Sequence, residues 1–110
     1  MPKEGINFVK KAVRMKIYPG MAAEYKKRHD ELWPEMRDML NDQGAISYQI
    51  FLDPDTEYLF GILEIKDEEK WAKTDNIAIN CKWWDFMADI IETNQDNSPV
   101  TVDLVKVFEL

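Results

Sequence analysis

Two runs of alternating residues flank a turn at residues 45–66, which read AISYQIFLDPDTEYLFGILEIK. In the first run, large apolar or aromatic residues recur at every second position, as in a strand with one buried face. These residues are Ile46, Tyr48, Ile50 and Leu52. The segment DPDT at residues 53–56 predicts a turn, because Pro fixes φ and Asp bonds to its own backbone. Residues 57–66 predict a second strand, so the stretch predicts a β-hairpin.

Helical spacing is found on both sides of this hairpin, with a strand beyond each helical segment. Upstream, residues 9–18 alternate as in a strand, and apolar residues recur three or four apart across residues 21–42. Pro34 lies within that helical segment and predicts a kink or a restart around residues 30–34, because Pro lacks an N–H. Downstream, the predicted elements are helices at residues 67–73 and 75–92 and a strand at residues 101–109. The order β-α-β-β-α-β is that of an α+β, ferredoxin-like split βαβ fold.

This fold has one sheet with one helix-covered face, and the second face needs its own explanation. We assign residues 9–110 to a single domain and residues 1–8 to an N-terminal extension with no independent role. One domain cannot cover both faces, so a second apolar face favours a homodimer. The residues predicted to make that second face apolar are Phe51, Leu59, Leu63 and Ile65.

Charge and reactive-residue counts restrict the function classes. The chain has 14 Lys and Arg against 21 Asp and Glu, a net charge of −7, which disfavours binding to nucleic acid or to an anionic membrane. One histidine and one cysteine exclude multi-histidine or multi-cysteine metal sites within one chain, and also a disulfide framework. A lone cysteine, and no apolar segment typical of a signal peptide or a membrane span, favour the cytoplasm.

Tyr25 and His29 lie four residues apart in the upstream helical segment, so they share one face of the helix. The same face carries apolar residues, and both side chains are therefore predicted to point inward. His29 is then either a cavity-lining group that titrates near neutral pH, or a core histidine hydrogen-bonded to a carbonyl freed by Pro34.

Three further aromatic residues each have a structural and a functional interpretation. Tyr48 is either a half-buried sheet residue or a phenol offered to a ligand between helix and sheet. Trp83 and Trp84 are adjacent, so they point about 100° apart on a helix, and only one can face the core squarely. They are either one core and one interface residue, or the wall of a pocket for a small amphipathic ligand such as a sugar.

Four motifs occur in a fixed order along the chain. They are YKKRHDELWPE at residues 25–35, Gly44-Ala45 ahead of Tyr48, the pair Trp83-Trp84, and DNSPV at residues 96–100. In combination they resemble the L-rhamnose mutarotase family, from about Lys10 to Leu110. The resemblance implies a dimeric α/β barrel of ferredoxin-like subunits, each with its own sugar pocket. The chain departs from the family pattern at Gln95, where proline is common, and in the VFEL at residues 107–110.

The resemblance implies an isomerase that interconverts the α and β anomers of L-rhamnopyranose by acid-base ring opening and closing. It assigns the catalytic proton donor to His29, and the implied substrate contacts are Tyr25, Tyr48, Trp83 and Trp84. The reaction needs no metal and no cofactor, and its base is left open between a tyrosine, a carboxylate and water. Two alternatives remain: a small monooxygenase of the dimeric-barrel type, either cofactor-free or haem-dependent, and a non-catalytic sugar-binding module.

Overall fold

The computed structural model describes residues 8–110 and contains the predicted central hairpin. Its strands are β2 (Ala45–Leu52) and β3 (Tyr58–Ile65), and the outer strands are β1 (Val9–Lys16) and β4 (Val102–Asp103). The pairing is antiparallel throughout, in the order β2-β3-β1-β4. In the hairpin turn, the Asp55 N–H donates to Asp53 Oδ1 at 3.0 Å, as the DPDT sequence predicts.

Four α-helices and one 3₁₀-helix account for the predicted helical segments. They are α1 (Ala22–Asp30), α2 (Pro34–Asp42), α3 (Glu68–Ala72), a 3₁₀-helix (Lys73–Asn76) and α4 (Ala78–Met87). The restart predicted near residues 30–34 is confirmed, because Pro34 is the first residue of α2. At that position its missing N–H breaks no hydrogen bond within the helix.

The core lies between one face of the sheet and the helices. Along β3, every second residue is buried, starting with Leu59, so one sheet face points into the protein. The other buried core residues come from β1, the helices and the segment after α4, and they are Met15, Ile17, Tyr25, Met36, Met39, Trp83, Met87, Ile90 and Ile91. This arrangement of strands and helices is the ferredoxin-like fold that the element order predicts.

The outer face of the sheet carries a different set of residues from the predicted one. Leu59, Leu63 and Ile65 were predicted on the outer face, but they belong to the helix-covered face, where they are 2%, 8% and 0% exposed. The prediction was wrong because Phe51 pairs with Phe60, and side chains alternate between faces along a strand. The outward-facing apolar residues of these two strands are Phe51, Phe60 and Ile62.

The second long helix ends earlier than predicted. Helix α4 ends at Met87, whereas helical spacing predicted a helix as far as residue 92. After the helix, the chain turns back towards the end of β1. There, Ile91 forms an isolated antiparallel bridge with Ile17, and the Tyr18 N–H donates to the Ile90 carbonyl at 2.9 Å. Ile90 and Ile91 are buried, so they continue the apolar spacing of α4 along the sequence although they lie outside the helix.

The last strand is also shorter than predicted. Strand β4 covers only Val102–Asp103 rather than residues 101–109, and the Leu104 N–H adds one further hydrogen bond to β1. Beyond this point, Val105 and Val107 are 82% and 92% exposed, since no other described strand of the chain runs beside them.

Two sequence predictions concern the ends and the surroundings of the chain. The N-terminal extension lies outside the described residues apart from Phe8, so the division into residues 1–8 and 9–110 stays a prediction. Within residues 8–110, no helix is both long and apolar enough to cross a bilayer.

Candidate active site

A partly open cavity of about 1370 Å³ lies between the helix-covered face of the sheet and helices α1, α2 and α4. All five residues singled out in the sequence line it, and they come from α1, β2 and α4. They are Tyr25, His29, Tyr48, Trp83 and Trp84. The fold thus brings the five together, while their roles in binding and catalysis remain predictions.

His29 is oriented by the backbone of its own helix. Its Nδ1 lies 3.1 Å from the carbonyl oxygen of Tyr25. A carbonyl only accepts, so Nδ1 carries a proton and donates it. This carbonyl lies one turn earlier in α1, whereas the sequence suggested one freed by Pro34. The imidazole also stacks on the Tyr25 ring, with centroids 4.2 Å apart, and meets Trp83 edge-on at 5.4 Å.

Burial lowers the pKa of His29 from its ordinary value, because the imidazolium loses its hydration inside the protein. The hydrogen bond to Tyr25 and the nearby Asp30 act in the opposite direction without cancelling this effect. At neutral pH, the ring is therefore mostly neutral, with the proton on Nδ1 and a lone pair on Nε2. In this state Nε2 can accept a proton, and the resulting imidazolium can donate it again.

The two cavity tyrosines keep their protons near neutral pH. Burial raises the pKa of Tyr25, and the nearby phenol of Tyr48 raises it further. Burial also raises the pKa of Tyr48. Tyr48 as a whole residue is 42% exposed, and the desolvation that raises its pKa acts through its phenol group. Both phenols are therefore hydrogen-bond donors, which argues against a tyrosinate as the base.

The ring of Tyr48 rests on the neighbouring strand at a glycine. A Cβ at Gly61 would lie 3.3 Å from Tyr48 Cε1 and 3.4 Å from Val13 Cγ2. These distances are tighter than ordinary van der Waals contacts. The missing side chain at Gly61 thus gives Tyr48 the room to lean across β3.

The tryptophan pair has one buried and one partly buried member. Trp83 is 7% exposed and packs edge-on against Trp33, with centroids 5.0 Å apart. Trp84 is rotated by about 100° from Trp83 on α4, and it is half-buried at the cavity wall. The two indoles therefore present different surfaces to one cavity.

Arg28 ties α1 to the end of α4, a role that the sequence did not reveal. Its guanidinium donates to the carboxylates of Glu24 and Asp89 at 2.8 Å, and to the Phe86 carbonyl at 2.6 Å. The hydrogen bond to Asp89 raises the pKa of Arg28 and lowers that of Asp89. The preceding residues, Lys26 and Lys27, are exposed. The sequence of three consecutive basic residues does not indicate which of them is partly buried in the fold.

The polar loop at residues 94–99 borders the same cavity and is fastened to α4. The Nδ2 of Asn97 donates to Asp85 Oδ1 at 2.9 Å, and the Nδ2 of Asn94 donates to Ser98 Oγ at 3.0 Å.

Asn80, which no motif marked, is a further cavity residue on the buried side of α4. No group of three or more His, Cys, Asp or Glu side chains within residues 8–110 is arranged to hold a metal ion.

The fold and the cavity together define a class of protein. It is a ferredoxin-like protein whose pocket combines one half-buried histidine, two protonated phenols and two indole walls. Such a pocket suits a small, uncharged, polar ligand with an apolar face, and it can move one proton.

Comparison with known proteins gives the particular family. The family model of the L-rhamnose mutarotases matches residues 10–110. The L-rhamnose mutarotase of Enterococcus faecalis is 58% identical over 102 residues, covering 93% of this chain and 99% of its own. That of Lachnoclostridium phytofermentans is 56% identical, covering 93% and 98%. The chain belongs to the L-rhamnose mutarotase family.

Solved structures agree with this assignment and with the fold. The crystal structure of an L-rhamnose mutarotase from Formosa agariphila is 42% identical, with a TM-score of 0.86, covering 93% of this chain and 98% of that one. A candidate antibiotic biosynthesis monooxygenase from Nitrosomonas europaea has a TM-score of 0.63 at 12% identity, covering 98% and 97%. The second likeness concerns the fold alone, so it lends no weight to the monooxygenase alternative.

Proposed function

We propose that this chain interconverts the α and β anomers of L-rhamnopyranose. The observation that carries the proposal is the setting of His29, whose ring is held between Tyr25 and Trp83 with Nδ1 bonded to the backbone. The relatives at 58% and 56% identity are themselves named L-rhamnose mutarotases, which supports the choice of substrate.

In the proposed mechanism, His29 is the acid that protonates the ring oxygen, and it obtains that proton from the substrate. The neutral ring accepts the proton of the anomeric hydroxyl at Nε2 while Nδ1 remains bonded to Tyr25. The bond between C1 and the ring oxygen then breaks, and C1 becomes the aldehyde carbon. The imidazolium returns the proton to the ring oxygen. Both oxygens are attached to C1 in the closed sugar, so one nitrogen can serve both, and a separate base is not required.

Ring closure repeats these steps in reverse after rotation about the C1–C2 bond. The ring oxygen then attacks the opposite face of the aldehyde, and the other anomer forms. The phenols of Tyr25 and Tyr48 donate hydrogen bonds to sugar oxygens, which their raised pKa values favour because both remain protonated. Trp83 and Trp84 pack against the apolar C–H groups of the sugar.

Replacement of the histidine tests this mechanism. His29→Ala is expected to lower the protein-catalysed rate of anomer exchange by about 10²–10⁴-fold, the usual contribution of one positioned acid or base. Exchange between the anomeric proton signals in NMR measures the rate. Lys27→Ala is the matched control, since Lys27 is exposed on the same helix. If His29→Ala exchanged anomers as fast as the wild type, the role of His29 would be disproved.

We also propose that the protein is a homodimer formed through the outer face of the sheet. Phe51 on that face is 58% exposed, which is unusual for a large aromatic residue. The segment after β4 is also apolar, and beyond Leu104 it pairs with no strand of residues 8–110. Its most exposed apolar residues are Val105, Val107, Phe108 and Leu110, all more than three-quarters exposed. A second copy of the chain would cover both surfaces.

The cytoplasm is the proposed location of the protein. In support, Cys81 is a free thiol of intermediate exposure, which fits a reducing compartment.

A further inference from the structure

Asn80 holds a buried amide group that residues 8–110 leave unsatisfied. The residue is 5% exposed, and its Nδ2 has no hydrogen-bond partner among residues 8–110. A buried amide that makes no hydrogen bond costs stability, and most such groups in proteins are paired. The other buried polar residue, Thr74, has a partner, because its Oγ1 accepts from Gln43 Nε2 at 3.4 Å.

The position of Asn80 relates this unpaired group to the candidate active site. Asn80, Trp83 and Met87 are the buried residues of α4, so they share one face of the helix. Asn80 and Trp83 are three positions apart, which corresponds to about 4.5 Å along the helix axis. Trp83 contacts His29, and both Asn80 and Trp83 line the cavity. Asn80 is thus about one turn of α4 away from the tryptophan that contacts the proton-transfer residue.

We propose that Asn80 binds a ring hydroxyl of the sugar on the side away from the anomeric carbon. The inference rests on the proposed function, because it takes the anomeric oxygens to lie at His29. A carboxamide both donates and accepts, and it therefore matches a hydroxyl, which does the same. The terminal torsion of asparagine has a broad minimum, so a small rotation turns Nδ2 from its shielded position towards the cavity. Asn80 is on this basis a residue that selects which aldose is accepted.

The variant Asn80→Leu tests this role while keeping the size of the side chain. It is expected to raise the KM for L-rhamnose about tenfold and to leave kcat within about twofold, the pattern of a lost ground-state contact. The melting temperature is expected to stay the same or to rise, because an unpaired amide is removed. Asn76→Leu is the matched control, since it makes the same change at an exposed residue outside the cavity.

Deoxy analogues identify the hydroxyl concerned. In the wild type, either the 3-deoxy or the 4-deoxy analogue of L-rhamnose should show a raised KM that Asn80→Leu does not raise further. A second measurement uses only the wild-type protein and so does not depend on whether a variant folds. Titration with L-rhamnose should shift the side-chain amide NMR signals of Asn80.

The outcomes separate this inference from the proposed function. If the wild type exchanges anomers, but Asn80→Leu leaves KM unchanged and the amide signals do not move, the role of Asn80 is disproved and the function stands. A lower melting temperature with an unchanged KM also disproves it, because it indicates a purely structural residue. If the wild type neither exchanges anomers nor responds to L-rhamnose, the proposed function fails, and the inference fails with it.

Discussion

The two faces of the sheet differ in how completely one chain buries them. On the helix-covered face, Leu59 and Ile65 are 2% and 0% exposed. Directly across the sheet, Phe51 is 58% exposed. Both faces carry large apolar residues, but among residues 8–110 only one of them packs against helices.

The difference indicates that the two faces of the sheet serve different functions. The covered face supplies the core and one wall of the cavity, and it does so with side chains of a single chain. The outer face contributes no residue to the proposed chemistry, and its exposed apolar surface suits a second copy. Changes on the outer face should therefore alter assembly, whereas changes on the covered face should alter catalysis or stability.

The largest effect is expected from a charge placed on the outer face. Phe51→Lys should weaken dimerisation about 100-fold or more, because a buried aromatic anchor is replaced by an unpaired charge. Analytical ultracentrifugation over a dilution series measures the dissociation constant. The rate of anomer exchange per chain should remain within about twofold, since the cavity lies on the opposite side of the sheet.

Gln95→Lys is the matched control for this prediction, because it adds the same charge in an exposed loop. It should leave the dimer intact. A wild-type protein that is monomeric at high concentration, or a Phe51→Lys variant that dimerises as tightly as the wild type, would refute the assignment of the outer face.

The pH dependence of catalysis tests the state of His29 on the covered face. Burial lowers its pKa, and the proposed mechanism starts from the neutral ring. Below that pKa, kcat/KM should fall about tenfold per pH unit, after subtraction of the uncatalysed rate. It should rise with pH to a plateau by neutrality, and the raised pKa values of Tyr25 and Tyr48 should extend the plateau to about pH 9.

The opposite profile would contradict the mechanism. If kcat/KM rose as the solution became more acidic, the imidazolium would be the starting form, and His29 would need a separate base as partner. His29→Gln serves as the control, because its residual activity should lack the acidic limb.

A smaller effect is expected from loss of the hydrogen bonds by which Arg28 connects α1 to the end of α4. Arg28→Met removes four hydrogen bonds to three residues, made by a side chain that is only 13% exposed. The melting temperature should fall by on the order of 5 °C, and exchange should slow as His29 loses its fixed position against Trp83. Lys26→Met is the control, because its ion pair with Asp30 is exposed and should contribute little. Equal melting temperatures for the two variants would refute the stabilising role of Arg28 between α1 and α4.

The smallest effect is expected at Gly61. Gly61→Ala places a Cβ 3.3 Å from the Tyr48 ring, so the ring must shift by a few tenths of an ångström. KM should rise about two- to threefold with kcat unchanged, because the phenol contact with the sugar is misaligned. In a double-mutant cycle, Gly61→Ala should have no such effect when combined with Tyr48→Phe. Additive effects of the two substitutions would disprove this link.

The order of elements could be predicted from the sequence because alternation and helical spacing survive in the folded protein. The two boundary errors have one cause, since apolar spacing alone reports neither the backbone hydrogen bonds of a helix nor the pairing of a strand. Ile90 and Ile91 are buried without being helical. Val105 and Val107 alternate as in a strand, although no strand lies beside them within residues 8–110.

The candidate site could be predicted in part. The spacing of Tyr25 and His29 was sufficient to place both on one helical face. Strand alternation and the adjacency of the two tryptophans marked Tyr48 and the tryptophan pair as candidates, and the family resemblance added their roles. Asn80 could not be recognised, because a single asparagine in a helix has no pattern that reports an unpaired amide. The pKa directions also required the three-dimensional burial of each group.

Saturation-transfer NMR on L-rhamnose tests the central claim most directly, because it observes ring opening and closing at equilibrium. The anomeric proton of one anomer is saturated, and the loss of signal from the other is followed as protein is added. We expect the transfer rate to rise in proportion to the concentration of wild-type protein and to stay near the buffer rate with His29→Ala. Saturation passing from the protein to the sugar, without faster transfer between anomers, would indicate a binding module and contradict the proposed enzyme.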